Sequence, residues 1–574
     1  MLAWPLYGAG LENLGRAGRP VRWPTPRPAA DQILVRSDAV GLCYSDVKII
    51  RQGGSHPRLY SRDLADHPIV QGHEVALTVV AVGEAWRDRF APGQRLALQA
   101  DIYYRGRNLA YGYVFYGGLA QYSLLGPAAL AGDEGCYAIT VPEGLGYAET
   151  ALTEPWACVE AAYSPRRRLN VKAGGVLWIV GSRGGSETRP YDQTRPYTLG
   201  VALACCWPAR AVLTDAPETL HRELHAAGVP HVIRDGVTPA GYPALAEAET
   251  TAGFDDIVLL NPDAARIEAA SRVAAGGATI VLAATQPFGR PVSVDVGRIH
   301  YDYLTYLGTT GSDLSTAYGP GRNRSELRPG GVAWIVGGGG PMGRMHLQRM
   351  LEMPGGPRRV VVSETNAVRN PDLTRSFGAL AAARGIELVV LDPKQLGETV
   401  YAAALATAHG GRGFDDVLVI VASVPAIEAA LPLLADDGLL VVFGGLARGT
   451  TAALDLSAVC RGNLQITGSA GSRIHDQAAV LGKVAAGHLS TANAVAAIGG
   501  LDAARDGMQG LMDGRFPGKM VIYPQVPTFP LTALADLKKV APEVYDRLGA
   551  GGLWSRPAEM EFLRRYAGSL YQPQ

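Results

Sequence analysis

The stretch GGVAWIVGGGGPMGRM, residues 330–345, decides how the rest of the chain is read. VAWIV is a short apolar, β-branched run of the kind that forms a buried strand, and PMGRMHLQRML continues as a helix. Between them Gly338, Gly340 and Gly343 spell G-x-G-x-x-G, with Pro341 and Met342 in the two variable positions before the last glycine. The first glycine permits a tight turn, the second lets backbone approach a pyrophosphate, and the third lets helix pack on strand. The N–H groups at the helix start then face the anion. The next apolar run, RVVVSE, ends at Glu364, 21 residues after Gly343. A carboxylate there accepts hydrogen bonds from ribose hydroxyls and repels a 2′-phosphate, which favours NAD over NADP. The first basic residue after it, Arg369, stands five positions on. Strand, glycines, helix and acid in this order predict a bound dinucleotide.

The chain writes the same passage twice. Residues 174–185 read GGVLWIVGSRGG, and Trp178 and Trp334 lie 156 residues apart. GFDDIVLLNP (253–262) answers GFDDVLVIVA (413–422), IEAA (267–270) answers IEAA (427–430), and LTYLGTTGS (304–312) answers LQITGSAGS (464–472). Self-similarity at one long period marks a duplicated domain rather than a short solenoid repeat. Both copies alternate β-branched runs with Ala/Leu-rich helical stretches, which predicts an α/β fold with two doubly wound parallel sheets. The first copy departs at its turn. Gly181, Gly184 and Gly185 are followed by SETRPYDQTRPYT before the helical run LGVALACCW, and the interval from Trp178 to the acidic strand end Asp215 is seven residues longer than its counterpart. Two readings stay open: the first copy keeps the fold without the cofactor site, or its turn is remodelled for another anion with Arg183 and Arg189.

Bulk composition limits the function classes. Of 574 residues, 47% are hydrophobic and 18% charged, with 71 glycines, a profile of packed globular domains. Lys+Arg and Asp+Glu each total 53, so nothing points to nucleic acid or an anionic membrane. No run approaches the ~18 apolar residues of a membrane helix. MLAWPLYGAG lacks the basic and apolar segments of a signal peptide, and six cysteines do not make a disulfide framework. A reducing cytoplasm is the expectation. The adjacent Cys205 and Cys206 are expected on a packed helix.

Candidate chemistry lies in the first 165 residues. GLCYSDVKII brings Cys43, Ser45, Asp46 and Lys48 together, QGHEV supplies His73 and Glu74, and ALTEPWACVEAAY supplies Glu154. A thiolate, an imidazole and a carboxylate from three segments make a tetrahedral zinc site with one position open. Each residue alone also fits a plainer role: a buried cysteine, a strand end, a helix start.

Taken together these segments resemble the zinc-containing medium-chain dehydrogenase/reductase family, in particular its sorbitol dehydrogenase-type branch. The order GLCYSD, GHE with VVAVG following, PGQRLAL, GGLAQY, TEPWAC, cofactor domain and GLDAARDGMQGLMDGRFPGKMVIYP (500–524) is similar to that family. The tandem arrangement resembles sugar dehydrogenases of the L-sorbose 1-phosphate reductase type. The resemblance implies a GroES-like β-rich catalytic domain at 1–165, a degenerate Rossmann-like domain at 170–318, an NAD(P)-binding Rossmann domain at 328–475, a return to the catalytic domain at 476–525, and a helical extension at 526–574. It implies zinc held by Cys43, His73, Glu74 and Glu154, with Glu74 and Glu154 bound directly or through water. Ser45 hydrogen-bonds the substrate hydroxyl and passes its proton outward, Asp46 holds a ligand in place, and hydride passes between a secondary alcohol of a polyol or sugar and the nicotinamide. Amino-alcohol oxidation, or a nucleotide-responsive protein without catalysis, are the alternatives on the same scaffold.

Two departures carry expectations of their own. The family's sorbitol branch has histidine where Lys48 stands, and an ammonium is a poorer proton shuttle. Either Lys48 binds an anionic part of the substrate or the proton leaves elsewhere. Residues 95–122 contain no cysteine, so no structural zinc is expected. The aromatic run Tyr103, Tyr104, Tyr111, Tyr113, Phe115 and Tyr116 is expected to pack that lobe. The LTYLGTTGS and LQITGSAGS strands are expected at sheet edges, which must be paired or covered. Their mutual pairing predicts an internal mimic of a dimer, leaving further oligomerisation to another surface. TALADLKKVAPEVYDRL and PAEMEFLRRYAGSLY are expected as two amphipathic helices that pack within the chain or on a neighbour.

Overall fold

The structure is a computed structural model. It describes all residues except 166–167, 183, 185–188, 201–205, 320, 322–323 and 569–574. Arg183, Gly185 and Cys205 therefore lie outside the described residues, and Cys206 stands in irregular backbone. The chain divides into two compact units. One comprises Met1–Ala161, Gly340–Met345 and Gly471–Gln574; the other comprises Ala162–Gly339 and His346–Ala470.

The second unit is built on a 12-stranded sheet. Its strands are β1 Val176–Val180, β2 Arg210–Thr214, β3 His231–Ile233, β4 Phe254–Leu260, β5 Ala274–Ala283, β6 Thr305–Thr309, β7 Val332–Val336, β8 Arg359–Ser363, β9 Glu387–Leu391, β10 Phe414–Val419, β11 Leu434–Val442 and β12 Gln465–Gly468. The order across the sheet is 3-2-1-4-5-6-12-11-10-7-8-9. Each half is parallel and has the doubly wound order of a dinucleotide fold. The halves join where β6 runs antiparallel to β12, with Tyr306 opposite Ile466. A second antiparallel ribbon, Val292–Asp295 against Thr451–Leu454, links them again.

The repeated residues explain themselves in the packing. In GFDD the first aspartate, Asp255 or Asp415, accepts the N–H of Val176 or Val332 at 2.9 Å and so starts the central strand. The second, Asp256 or Asp416, is fully buried and holds an arginine, Arg168 or Arg324. Each central tryptophan donates its indole N–H to a hydroxyl on the neighbouring strand: Trp178 to Thr214 at 3.0 Å, Trp334 to Ser363 at 2.8 Å. One apolar core runs through both halves and includes Trp178, Ile299, Tyr306, Trp334, Cys460 and Ile466.

The first unit is β-rich, which suits the alternating apolar runs of the first 140 residues. Strands Ile33–Gly41, Glu74–Val82, Arg95–Leu98 and Ala138–Thr140 pair antiparallel with one another. The returning strand Lys519–Tyr523 adds to the edge at Val40 and Gly41 and pairs with Val495–Gly500 on its other side. The aromatic run divides: Tyr111 and Tyr113 are buried, whereas Tyr103 and Tyr116 are exposed.

The C-terminal extension corrects the expectation of two long helices. The first is broken into a 3₁₀ turn at Leu534–Asp536 and the short helices Leu537–Val540 and Pro542–Tyr545. Ala541 precedes a proline and is pushed out of the helical region, to φ −148° and ψ 70°. Only Arg556–Tyr566 is a full helix. Its partner is within the unit: Phe562 packs on Tyr523 and Phe529. The strand Thr532–Ala533 pairs with Ala497 and Ile498.

Candidate active site

Cys43 is the N-cap residue of helix Tyr44–Gln52, and Asp46 is the third residue of that helix. Asp46 Oδ2 accepts the N–H of Cys43 at 3.1 Å, the reciprocal cap that a small polar start and an acid three residues on produce. Its other oxygen, Oδ1, accepts the N–H of Gly72 at 3.3 Å and lies 3.4 Å from His73 Nδ1. One carboxylate therefore ties the helix start to the turn before strand Glu74–Val82. Cys43, His73 and Glu74 then offer ligand atoms that all lie within 4.8 Å of one another. Ser45 Oγ stands 3.6 Å from Cys43 Sγ.

Glu74 is fully buried, and its partner is Lys519 on the returning strand, which also donates to Leu42 O at 3.2 Å. Sequence reading assigned no role to Lys519. Its signal was a lysine at the head of an otherwise apolar strand, KMVIY, a position that demands a counter-charge. Burial opposes the Lys519 ammonium, but the charge of Glu74 holds its pKa above the ordinary value. Glu154 lies in the first turn of helix Thr153–Ala161, outside the 4.8 Å group, with Oε1 4.0 Å from Cys158 Sγ. Burial, reinforced by the Glu74 charge and opposed by His73 and Lys519, pushes its pKa up to about 7. Burial disfavours the His73 imidazolium, yet Asp46 and Cys43 raise its pKa well above the usual value.

The donor set suits a metal ion. Sulfur, ring nitrogen and carboxylate oxygen are zinc's ligands. Glu74 Oε2 is buried without a hydrogen bond, which is costly unless a cation completes the cluster.

The wall beside this cluster carries cations. Tyr113 has the His73 ring on one side at 5.9 Å between centroids and the His56 ring at 5.8 Å. Arg58 lies 4.4 Å over the same phenol and is held by Asp101 and by Asn108 Oδ1 at 3.0 Å. Lys48 is half-buried on the helix that carries Ser45.

In the second unit, Gly337 and Gly338 follow β7, and both N–H groups point to Ser363 O, at 2.7 and 3.2 Å. A Cβ on Gly338 would run into Val362. Gly340 precedes, and Pro341, Met342 and Gly343 open, the helix Pro341–Glu352. Glu364 accepts the N–H of Gly339 at 2.9 Å with one oxygen and those of Thr365 and Asn366 at 2.8 and 2.9 Å with the other. The acid read for ribose thus also fixes the shape of the turn. Arg369 is the first residue of helix Arg369–Ala383, and its buried Nε has no hydrogen bond. In the first copy the described residues of the matching turn pack differently. Tyr191 and Tyr197 are buried edge-to-face, the Tyr191 ring closes on Gly181, and Arg266 donates to Gly181 O. Arg189 is spent on Pro287 O at 2.8 Å.

Residues 29–132 match the family model of the alcohol dehydrogenase GroES-like domain. L-sorbose 1-phosphate reductase of Klebsiella pneumoniae is 29% identical over 50% of this chain and 71% of its own length. Sorbitol dehydrogenase of Gallus gallus is 27% identical over 27% of this chain and 46% of its own. The chain is similar to alcohol and sorbitol dehydrogenases. An uncharacterized Escherichia coli protein, YggP, is 24% identical over 94% of this chain and 93% of its own length. A solved putative alcohol dehydrogenase of Sinorhizobium meliloti shares the fold, at 16% identity and a TM-score of 0.50, covering 91% of this chain and 98% of that one. No helix among the described residues is long and apolar enough to cross a membrane.

Proposed function

We propose that this chain is a zinc-dependent dehydrogenase that interconverts a secondary alcohol and a ketone on a polyol, sugar or sugar phosphate with a nicotinamide coenzyme. The observation that carries the reading is the convergence of Cys43, His73 and Glu74 around Asp46. Relatives named for L-sorbose 1-phosphate, mannitol 1-phosphate and sorbitol support the substrate class. Bound zinc supplies a positive charge that lowers the pKa of the substrate hydroxyl, and bound NAD supplies the hydride acceptor.

The chain's own residues do the rest. Cys43, His73 and Glu74 hold the metal, with Glu154 as a further carboxylate on the same side. Asp46 fixes the His73 ring through Nδ1, the arrangement by which carboxylates orient metal-binding imidazoles. Lys519 holds one oxygen of Glu74. Ser45, beside Cys43, hydrogen-bonds the substrate hydroxyl and passes its proton outward. The Gly338–Gly343 turn and Glu364 receive the dinucleotide.

The test combines metal analysis with a screen of polyols and ketoses, free and phosphorylated, followed at the nicotinamide absorbance. About one zinc per chain is expected, with turnover lost in Cys43→Ser. Full turnover in that variant eliminates the zinc reading. Asp46→Asn is expected to weaken zinc binding by about 10- to 100-fold while leaving the ligands in place.

A further inference from the structure

Asp101 follows the strand Arg95–Leu98, and two runs of contacts tie it to the metal-type cluster. On one side its Oδ1 accepts Arg58, whose guanidinium lies 4.4 Å over the Tyr113 phenol, and that ring stands 5.9 Å from the His73 ring. On the other side the Asp101 N–H donates to Gln99 Oε1 at 3.1 Å, and Gln99 Nε2 donates to Ser472 Oγ at 2.8 Å. Ser472 Oγ lies 3.8 Å from Cys158 Sγ, which stands 4.0 Å from Glu154 Oε1. The Asp101–Arg58 pair is thus anchored, yet it is not closed. Asp101 Oδ1 takes Arg58 and also Asn108 Nδ2 at 3.3 Å, while Oδ2 makes no hydrogen bond among the described residues. Gly471 faces that second oxygen: a Cβ there would lie 3.1 Å from Oδ2, so the missing side chain leaves it open. Arg58 spends Nη2 on Asp101 and on Asn108 Oδ1, and its Nη1 makes no hydrogen bond among the described residues. Both side chains reach solvent, Asp101 at 26% exposure and Arg58 at 34%.

We propose that Asp101 and Arg58 are specificity residues that read a hydroxyl of the substrate beyond the reacting carbon, and so separate hydroxylated substrates from simple alcohols. The inference rests on the reading that the reacting carbinol sits at Cys43, His73 and Glu74, and adds to it the residues that choose among alcohols. A carboxylate oxygen only accepts, a guanidinium nitrogen only donates, and a hydroxyl does both. The hydroxyl therefore donates to Asp101 Oδ2 and accepts from Arg58 Nη1, and both bonds are charge-assisted. The two charges cancel each other, so the pair suits a neutral polar group and not an ion. Burial opposes the charge of Asp101, but Arg58 holds its pKa below the usual carboxylate value, which keeps Oδ2 an acceptor at neutral pH. An alcohol that lacks the second hydroxyl leaves both groups unmatched, and a site built to bond a hydroxyl discriminates against such an analogue.

The experiment uses the full chain loaded with zinc and compares xylitol and glucitol with pentan-2-ol and hexan-2-ol. The hydroxylated substrates are expected to lead in kcat/KM by about 100-fold or more. In Asp101→Ala that ratio is expected to fall by about 10- to 100-fold, through the KM of the hydroxylated substrates, and in Arg58→Met by a similar factor. Asp101→Glu is expected to recover part of it. Where Asp101→Ala fails to fold, Asp101→Asn keeps one oxygen for Arg58, places an amide donor at Oδ2, and is expected to show the same fall. A purely structural role lowers turnover of both substrate classes together; a ratio unchanged in the variants overturns the proposal, as does a wild type without preference for xylitol and glucitol. Should no alcohol turn over, the dehydrogenase reading fails separately. Saturation-transfer NMR of xylitol on the zinc-loaded chain then decides: a signal lost in Asp101→Asn supports the hydroxyl-reading pair, and an equal signal in both proteins, absence included, removes it.

Discussion

Lys519 shows what one residue decides. Its side chain is 3% exposed and that of Glu74 is fully buried, so each offsets the other's buried charge. Lys519→Met leaves Glu74 uncompensated. The metal-free variant is expected to lose about 3–5 kcal/mol of stability, read from the urea midpoint in chelator, and less when zinc is present. An unchanged midpoint in chelator would falsify the pair's role. His346 offers a second residue-scale test. It is buried against Phe443, with Nδ1 2.7 Å from the Tyr163 hydroxyl and Nε2 unpartnered. Burial, with Arg349 nearby, lowers its pKa to about 3. The folded pKa lies below the unfolded value near 6.5, so the folded state binds fewer protons across that window and stability falls as pH drops below about 6.5. The expected loss from this group between pH 7 and pH 5 is about 2 kcal/mol, and His346→Gln is expected to flatten the profile by that amount in denaturant melts at the two pH values.

Among the elements, the helix Arg556–Tyr566 tests whether the C-terminal extension is an accessory. Its Glu559 accepts the N–H groups of Tyr147 and Ala148 and the Tyr523 hydroxyl, the last at 2.8 Å. It thereby serves as the side-chain acceptor for the start of helix Tyr147–Ala151, which leads directly into the helix bearing Glu154. Glu559→Leu strands these donors and is expected to cost about 2–4 kcal/mol, with the Glu154 segment gaining hydrogen exchange first. Protection unchanged in that segment would separate the extension from the site. The glycine-rich turn was legible because its physics is local: backbone space and N–H direction depend on few residues. The carboxylate of Glu364 was legible as an acid at the right place, but its bonds to Gly339, Thr365 and Asn366 depend on how the turn folds back. The broken helix at Ala541–Pro542 was misread because apolar spacing outweighed the proline.

For the whole second unit the governing fact is the β6–β12 junction. Gly308 on β6 faces the backbone of Cys460, and Gly468 on β12 faces Ile299 O; a Cβ at either would collide with them. The repeat keeps glycine at both places because each half lays a helix across the other's edge strand. The junction removes two exposed edges at once. It also makes the core continuous, so the halves are expected to unfold together. Gly468→Leu is expected to raise hydrogen exchange in β2 and β8 in parallel, although they lie in different halves. Loosening confined to β8 would show two independent domains. The turn of the first copy packs differently from that of the second: the Tyr191 ring closes on Gly181 and Arg266 donates to the Gly181 carbonyl.

By itself the sequence determined the duplication, the α/β class, the intact turn at Gly338–Gly343 and the residue types of the metal-type cluster, because these follow from period, propensity and chemistry written along the chain. Only the tertiary structure decided that Lys519, more than 440 residues from Glu74 in sequence, closes the ion pair, that His56 and His73 both lie against Tyr113, and that two sheets become one. Such contacts are set by where distant strands and loops meet, and a linear pattern carries no record of that meeting.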